Sequence, residues 1–206
     1  SKLSYLYDLA SLLPDVLTAA KPITDSLRNT HVGPGSFFWG LDFDSSIQQA
    51  ARNLPNDQRV NRLMEAATRG ANVTSASSPT FYVGISLSAS LIVSGGYNLG
   101  ILIGTGRTAY NLAVLTLNGG GVTNVGVQGS VEVAVFWQEP SSMLGLGAYE
   151  QVDGGEVVQG SVGITGNFPF DFWNNCGPAI NVGAGLSVSP VDIAAGLSYT
   201  WKMLRF

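Results

Sequence analysis

Charged side chains are scarce in this sequence. They make up 12% of its 206 residues, which is about half of the fraction usual for a soluble globular domain. They are also unevenly distributed, because residues 1–69 carry seven basic and seven acidic side chains and the rest of the chain carries three basic and seven acidic ones. Since no cluster of lysine or arginine could follow a phosphate backbone, nucleic acid is not an expected partner.

Cysteine and histidine are almost absent as well. Cys176 is the one cysteine, which excludes an internal disulfide and a zinc site built on paired thiolates. His31 is the one histidine, and its spacing from the nearby aspartates matches no metal-binding pattern. The segment Gly33–Ser36 lacks the lysine of a phosphate-binding loop, and we interpret it as a turn. We therefore expect no catalytic residues, no metal site and no cofactor.

Long hydrophobic runs are missing too. Because no stretch of about 18 apolar residues occurs, the sequence predicts no transmembrane helix. The N-terminus also lacks the basic-then-apolar plan of a secretory signal. What the chain does contain is 45% hydrophobic residues and 26 glycines. That is enough apolar material for a substantial core, so we expect most of the chain to fold.

The first 70 residues have the periodicity of amphipathic helices. Apolar residues recur at three- and four-residue spacing over 6–20, which predicts a first helix that is kinked or restarted at Pro14. A second helix is predicted from about residue 45 to Pro55, and a third from there to Gly70. This helical subdomain, residues 1–70, carries most of the charge of the chain.

The periodicity changes to two after residue 79. Between the first two helices, residues 37–43 already alternate and predict a short strand, whereas 71–79 are small, polar and typical of a linker. From Phe81 to Val93, apolar residues alternate with small and mostly polar ones, and Gly95-Gly96 then predicts a hairpin turn. Further strands are predicted over 97–105, 109–117, 122–137, 143–152, 156–168, 179–188 and 191–204.

Short connections between these strands favour antiparallel neighbours in sequence order, because a parallel crossover needs about a dozen residues or more. The sequence therefore predicts a mainly β fold over residues 80–206. We expect an eight-stranded antiparallel up-and-down β-barrel, since closure removes exposed strand edges. A closed meander or a sandwich is the alternative.

The sequence leaves open which way the apolar row points. The apolar row carries almost no charge, and the opposite row is rich in glycine, serine, asparagine and glutamine. An apolar exterior would suit lipid, and Tyr199 and Trp201 lie where the aromatic girdle of a membrane barrel would be expected. The last strand, ending at Phe206, is similar to the C-terminal strands of bacterial outer-membrane barrels. An apolar interior would instead fill an eight-stranded barrel better than glycine can, and the short loops depart from the outer-membrane plan.

Two sets of residues are candidates for function. If the small-polar row lines a lumen, Glu132 would be a buried carboxylate able to pair with Lys202 or bind a cation, with other polar candidates on the same barrel. The aromatic clusters could contact a membrane or a partner, or else pack on each other. The lumen or binding candidates are Glu132, Lys202, Gln128 and Asp192, and the aromatic candidates are Phe37, Phe38, Trp39, Phe170, Phe172 and Trp173.

The leading hypothesis is a non-enzymatic membrane-associated β-barrel, either an integral barrel or a pore-forming subunit. Its location would be an outer membrane. The alternative is a soluble barrel, secreted or at the cell surface, that binds an apolar ligand or a protein partner. An enzyme on a barrel scaffold comes third. A lipid bilayer or an apolar ligand is thus the expected partner, and assembly into a homo-oligomer is compatible with either hypothesis.

Overall fold

Four helices precede the sheet. The computed structural model describes residues 2–30, 45–70, 79–105, 109–136, 138–154, 158–167, 176–187 and 191–206. The helices are α1 (Lys2–Ala19), α2 (Lys21–Thr30), α3 (Ser45–Asn53) and α4 (Gln58–Gly70), with short 3-10 helices at Leu54–Asn56 and Pro140–Met143.

The three predicted helices are confirmed, with one addition. Pro14 lies inside α1 without ending it, and α2 is a separate helix that the sequence pattern did not reveal. Ile47 and Ala51 of α3 are buried, as are Val60 and Leu63 of α4. The strand predicted over 37–43 and most of the predicted linker lie outside the described residues.

Six antiparallel strands form one curled, half-barrel sheet, so the prediction of a mainly β, antiparallel fold is confirmed. The sheet order is β1-β2-β5-β4-β3-β6, and β6 also pairs back with β2. The strands are β1 (Thr80–Gly104), β2 (Asn111–Phe136), β3 (Gly145–Gly154), β4 (Val158–Asn167), β5 (Cys176–Ser187) and β6 (Val191–Arg205).

The predicted pairing in sequence order is wrong. β5 and β6 do not pair with each other; both pair with β2, where Ser187 lies opposite Gly126 and Ala194 lies opposite Val122. The two strands therefore follow one another along the same edge of β2, while β3 and β4 pair with their other edges. The prediction assumed that a short connection makes two strands neighbours. A short connection can equally join strands that lie end to end.

Two predicted turns are also wrong. The sequence predicts a hairpin turn at Gly95-Gly96 and a break at Asn118–Gly121, between the strands predicted over 109–117 and 122–137, but these two segments pair with each other inside a continuous ladder between β1 and β2. The irregularity lies at Ile92, where the register shifts between Leu91 and Val93 and the backbone φ is 70°. Glycine in a strand interior more often permits close packing than a turn.

At Ile92, β1 folds back on itself. A Cβ placed on Gly84 would lie 2.7 Å from the carbonyl oxygen of Leu99, and one on Gly100 would lie 2.5 Å from that of Val83. In a straight strand these positions would be about 50 Å apart, at about 3.3 Å per residue. The residue numbers of these contacts are symmetric about Ile92. The two halves of β1 therefore lie against each other, with Ile92 at the reversal.

The larger of two hydrophobic clusters lies between the helices and one end of the sheet, and the smaller lies on the opposite side of β1 and β2 at that end. Helical residues such as Leu13, Leu27 and Leu63 are packed in one cluster with strand residues such as Phe81 and Val133. The helices therefore cover the outer side of β1 and β2 near their outermost ends. They leave the part nearer to the reversal at Ile92 uncovered.

Candidate functional site

One apolar row of β1 is divided between core and solvent. Phe81, Val83 and Ile85 are buried beneath the helices, whereas Leu87 is 39% exposed and Leu91 is 70% exposed. All five point to the same side of the strand, because side chains alternate along it. The row is thus chemically continuous, and only the helices distinguish its two parts.

The uncovered part belongs to a wider apolar surface, which we call the exposed outer face. Its members lie on one side of the sheet and have exposed side chains. Within the described strands, Glu150 is a charged residue on the same side. They are Leu87, Leu91, Val93, Leu117, Val125, Val127, Leu146, Val152, Val191, Ile193, Leu197, Tyr199, Trp201 and Leu204. Apolar patches of this extent on a protein usually mark an interaction surface.

The opposite side, which we call the inner face, is polar toward the reversal. There Tyr149 lies over Gly196, and its hydroxyl is 3.4 Å from that of Ser94, although two strands separate β3 from β1. The described polar residues of β1 and β2 on this face are Ser86, Ser88, Ser90, Ser94, Asn98, Thr116, Asn118, Gln128, Ser130 and Glu132. Toward the reversal at Ile92 the concave side of the sheet is therefore polar and the convex side is apolar. At the helix-covered end the concave side instead holds a second buried apolar cluster, formed by Tyr82, Leu102, Leu112, Val114, Ala134, Phe136 and Met143.

A chain of hydrogen bonds joins the two halves of the long hairpin. Asn118 Nδ2 donates to Asn98 Oδ1 at 3.1 Å, and Asn98 Nδ2 donates to Glu132 Oε2 at 2.9 Å. The hydroxyls of Ser86 and Ser130 also bond to each other. Because buried polar groups are costly unless paired, this network favours one arrangement of the strands.

Glu132 lies at the helix-covered end of the inner face. The neighbouring Val133 is buried, and Val131 packs against the core cluster beneath the helices. Burial raises the pKa of Glu132 to about 7, because a desolvated carboxylate is less stable than its neutral form. The pKa of Tyr82 is raised well above its ordinary value, first by burial and second by the charge of Glu132.

Tyr82 is held over two glycines of the inner face. A Cβ on Gly84 or Gly100 would come within 2.6 Å of the Tyr82 Cζ atom. The Tyr82 hydroxyl is buried and has no hydrogen-bond partner among the described residues. The ring therefore occupies space that any larger residue at 84 or 100 would take.

The structure brings only some of the predicted polar candidates together. Glu132 and Gln128 share the inner face. Lys202 lies on β6 opposite Val114, and its side chain is exposed. Two ion pairs among the described residues join Lys21 to Asp25 and Arg59 to Asp57, and neither involves Lys202 or Glu132. Asp192 lies opposite Asp153 in the register of β3 and β6. The six aromatic candidates, in segments 37–39 and 170–173, lie outside the described residues.

Sequence reasoning missed several residues that matter here. Tyr82 and Tyr149 lie over glycines of the inner face, and Asn98 bonds to Glu132. Nothing in the alternation predicts which strands these side chains reach. Ile92, however, left a signal: it is the one large apolar residue in the row Ser86, Ser88, Ser90, Ile92, Ser94. An interruption of that kind marks a place where the alternation fails.

No protein-family model matches the chain, and no similar curated protein or solved structure was found.

Within the described ranges, none of the helices combines the length and apolar character needed to cross a membrane.

Proposed function

We propose that this protein is a membrane-associated β-barrel that buries its exposed outer face in a lipid bilayer. The observation that carries the proposal is the division of the sheet, over the part that the helices leave uncovered, into a convex apolar side and a concave polar side. A soluble barrel has the opposite arrangement, with apolar residues filling its interior. Lipid-facing barrels are apolar outside and polar inside.

The proposed barrel has eight strands, formed when the halves of β1 and of β2 each act as a separate strand. The pairings β2–β5, β5–β4, β4–β3, β3–β6 and β6–β2 return to their starting strand. Contact between the halves of β1 near Gly84 and Gly100 would complete the circle. Closure would leave no unpaired strand edge, which is a requirement for a sheet in hydrocarbon.

The energetic argument concerns the exposed outer face. Each large aliphatic side chain that stays in water forgoes roughly 1.5–3 kcal/mol of burial. Lipid would recover about half of this energy for each of the leucines, valines and isoleucines on four strands, because their side chains are between 37% and 70% exposed. Tyr199 and Trp201, whose ring centroids are 4.6 Å apart, lie at one end of the apolar row of β6, where amphipathic rings would meet the headgroups.

The interior favours neither an apolar ligand nor an open channel through one copy. At the helix-covered end the inner face is filled by a packed cluster of buried apolar side chains. Elsewhere the described inner face consists largely of serine, threonine, asparagine and glycine, which offer little to an apolar molecule. Tyr149 lies over Gly196 and reaches Ser94, and Tyr82 covers Gly84 and Gly100. The proposed activity therefore lies on the outside of the barrel.

Flotation with phosphatidylcholine vesicles tests the proposal. The protein should float with the vesicles, and Leu197→Glu should weaken its partition at least about tenfold, because a carboxylate in hydrocarbon costs more than about 1.4 kcal/mol. Leu197 is 57% exposed on β6. The matched control is Asn61→Glu, which adds the same charge on the exposed side of α4 and should leave partition unchanged. A protein that stays in the aqueous fraction would refute the proposal.

A further inference from the structure

The reversal of β1 presents three large apolar side chains, which we call the β1 tip. Leu91, Ile92 and Val93 are 70%, 77% and 69% exposed, more than any other large hydrophobic residue in the described ranges. Ile92 has a φ of 70°, and among the described residues it is the one non-glycine residue with a positive φ. Exposure and an unusual backbone conformation therefore coincide at one residue.

In water this arrangement is costly in two ways. A β-branched residue with a left-handed backbone is a rare outlier, because its Cβ crowds the following carbonyl oxygen. A large aliphatic side chain at the apex also remains hydrated. Glycine or asparagine would adopt the same backbone with little strain and would expose no large apolar group. Strain of this kind is typically found at functional sites, which is consistent with an isoleucine that contacts something outside the chain.

The two strands that form the tip are uncharged around it, and the nearest charges in the described strands at this end of the sheet are Asp192 on β6 and Asp153 on β3, which lie two and three strands away from β1. β1 contains no charged residue, and β2 contains none before Glu132. Ser90 and Ser94 flank the tip, and β2 passes beside it between Gly121 and Val125. We propose that the β1 tip enters the hydrocarbon of a bilayer ahead of the rest of the exposed outer face. This inference rests on the proposed membrane association and adds the orientation of entry.

Hydrocarbon fits this tip better than a protein partner does. Protein interfaces surround an apolar centre with a polar rim that supplies hydrogen bonds and charge. The β1 tip is instead a convex reversal, and the chain carries no charge within ten residues of Ile92 on either side. Lipid chains require no matching shape and exclude charge, so they complement an apex of this composition.

A pair of matched variants tests the orientation. Ile92→Asn removes the apolar side chain at the tip but suits the left-handed backbone, so we expect it to fold with an unchanged or higher melting temperature. Leu146→Asn makes a similar chemical change on the exposed outer face, at the end of β3 that is farther from the tip. There Leu146 lies opposite Tyr199. Partition into phosphatidylcholine vesicles should fall roughly tenfold or more for Ile92→Asn, since one buried isoleucine is lost, and less than about threefold for Leu146→Asn.

Each outcome of the comparison decides between the two proposals. Equal losses for the two variants would overturn tip-first entry and leave membrane association intact. No loss for Ile92→Asn, together with a strong loss for Leu197→Glu, would also overturn it. If neither these variants nor Leu197→Glu alters partition, membrane association through the outer face fails as well. Thermal unfolding of each variant confirms that the changes in partition do not come from misfolding.

Discussion

At the scale of single residues, glycine decides where tyrosine can lie on the inner face. Gly100 faces Tyr82, and a Cβ there would lie 2.5 Å from the Tyr82 Cζ atom and 2.5 Å from the Val83 carbonyl oxygen. We expect Gly100→Ala to destabilise the fold by about 1–3 kcal/mol, as overpacking does. The measurement is the free energy of unfolding in urea.

Gly129→Ala is the control for this substitution. Gly129 is also in a strand, but a Cβ there would have no heavy atom within 4 Å. Its replacement should be neutral or stabilising by about 0.5 kcal/mol, because alanine loses less conformational freedom on folding. Equal destabilisation by the two variants would show that the contact with Tyr82 does not limit the size of residue 100.

Glu132 makes stability depend on pH in a defined direction. Its pKa is raised from 4.5 to about 7, so between these values the unfolded chain is ionised while the folded one holds the proton. Stability should therefore fall as pH rises from about 5 to about 8. Glu132→Gln stays neutral and can still accept from Asn98. Relative to that variant, the native protein should lose up to about 3 kcal/mol over this range. A difference that does not vary with pH would contradict this.

At the scale of elements, Asp57 defines the start of α4. Its Oδ1 accepts from the backbone N–H of Arg59 at 2.8 Å, and its carbonyl accepts from Asn61 N. The Arg59 side chain, which bonds to the carboxylate, and the Arg59 backbone N–H lower the pKa of Asp57 to about 2. This stabilisation is present above about pH 4 and is lost as pH falls toward 2.

Removing this cap should weaken the protein modestly. We expect Asp57→Ala to lower the free energy of unfolding by about 1 kcal/mol at pH 7, whereas Asp57→Ser should retain most of the stability because serine also caps helices. The difference between Asp57→Ala and the native protein should shrink at pH 2. Chemical denaturation at both pH values measures it, and an equal effect of alanine and serine would argue against a capping role.

Helices and strand segments could be predicted from the sequence, but the strand turns could not. Apolar spacing located α1, α3 and α4, and strict alternation located the strand residues. Glycine pairs predict turns because glycine tolerates left-handed conformations. Instead, Gly120 and Gly196 face each other in neighbouring strands, where a Cβ on Gly120 would lie 2.5 Å from the Gly196 Cα atom. The same residue type serves a turn and a close contact, so its presence alone does not distinguish them.

At the scale of the whole molecule, strand order and the direction of the apolar row were beyond prediction. The alternating pattern is the same whether the apolar row faces the inside or the outside of the sheet, because the pattern determines only which residues lie on the same side of a strand. Contacts between distant residues, such as Ser94 with Tyr149 and Asn98 with Glu132, identify the concave side. Those contacts depend on strand order, and strand order depends on which edges β5 and β6 occupy along β2.

The placement of the helices limits how far the barrel could sink into a membrane. On β1, Ile85 is covered and Ile92 forms the far apex. At about 3.3 Å per residue and a strand tilt of about 40°, the distance between them corresponds to a depth of roughly 18 Å. A hydrocarbon core is about 30 Å thick. With α1–α4 in place, the protein would therefore occupy little more than one leaflet. The helices would contact the headgroups and prevent deeper insertion.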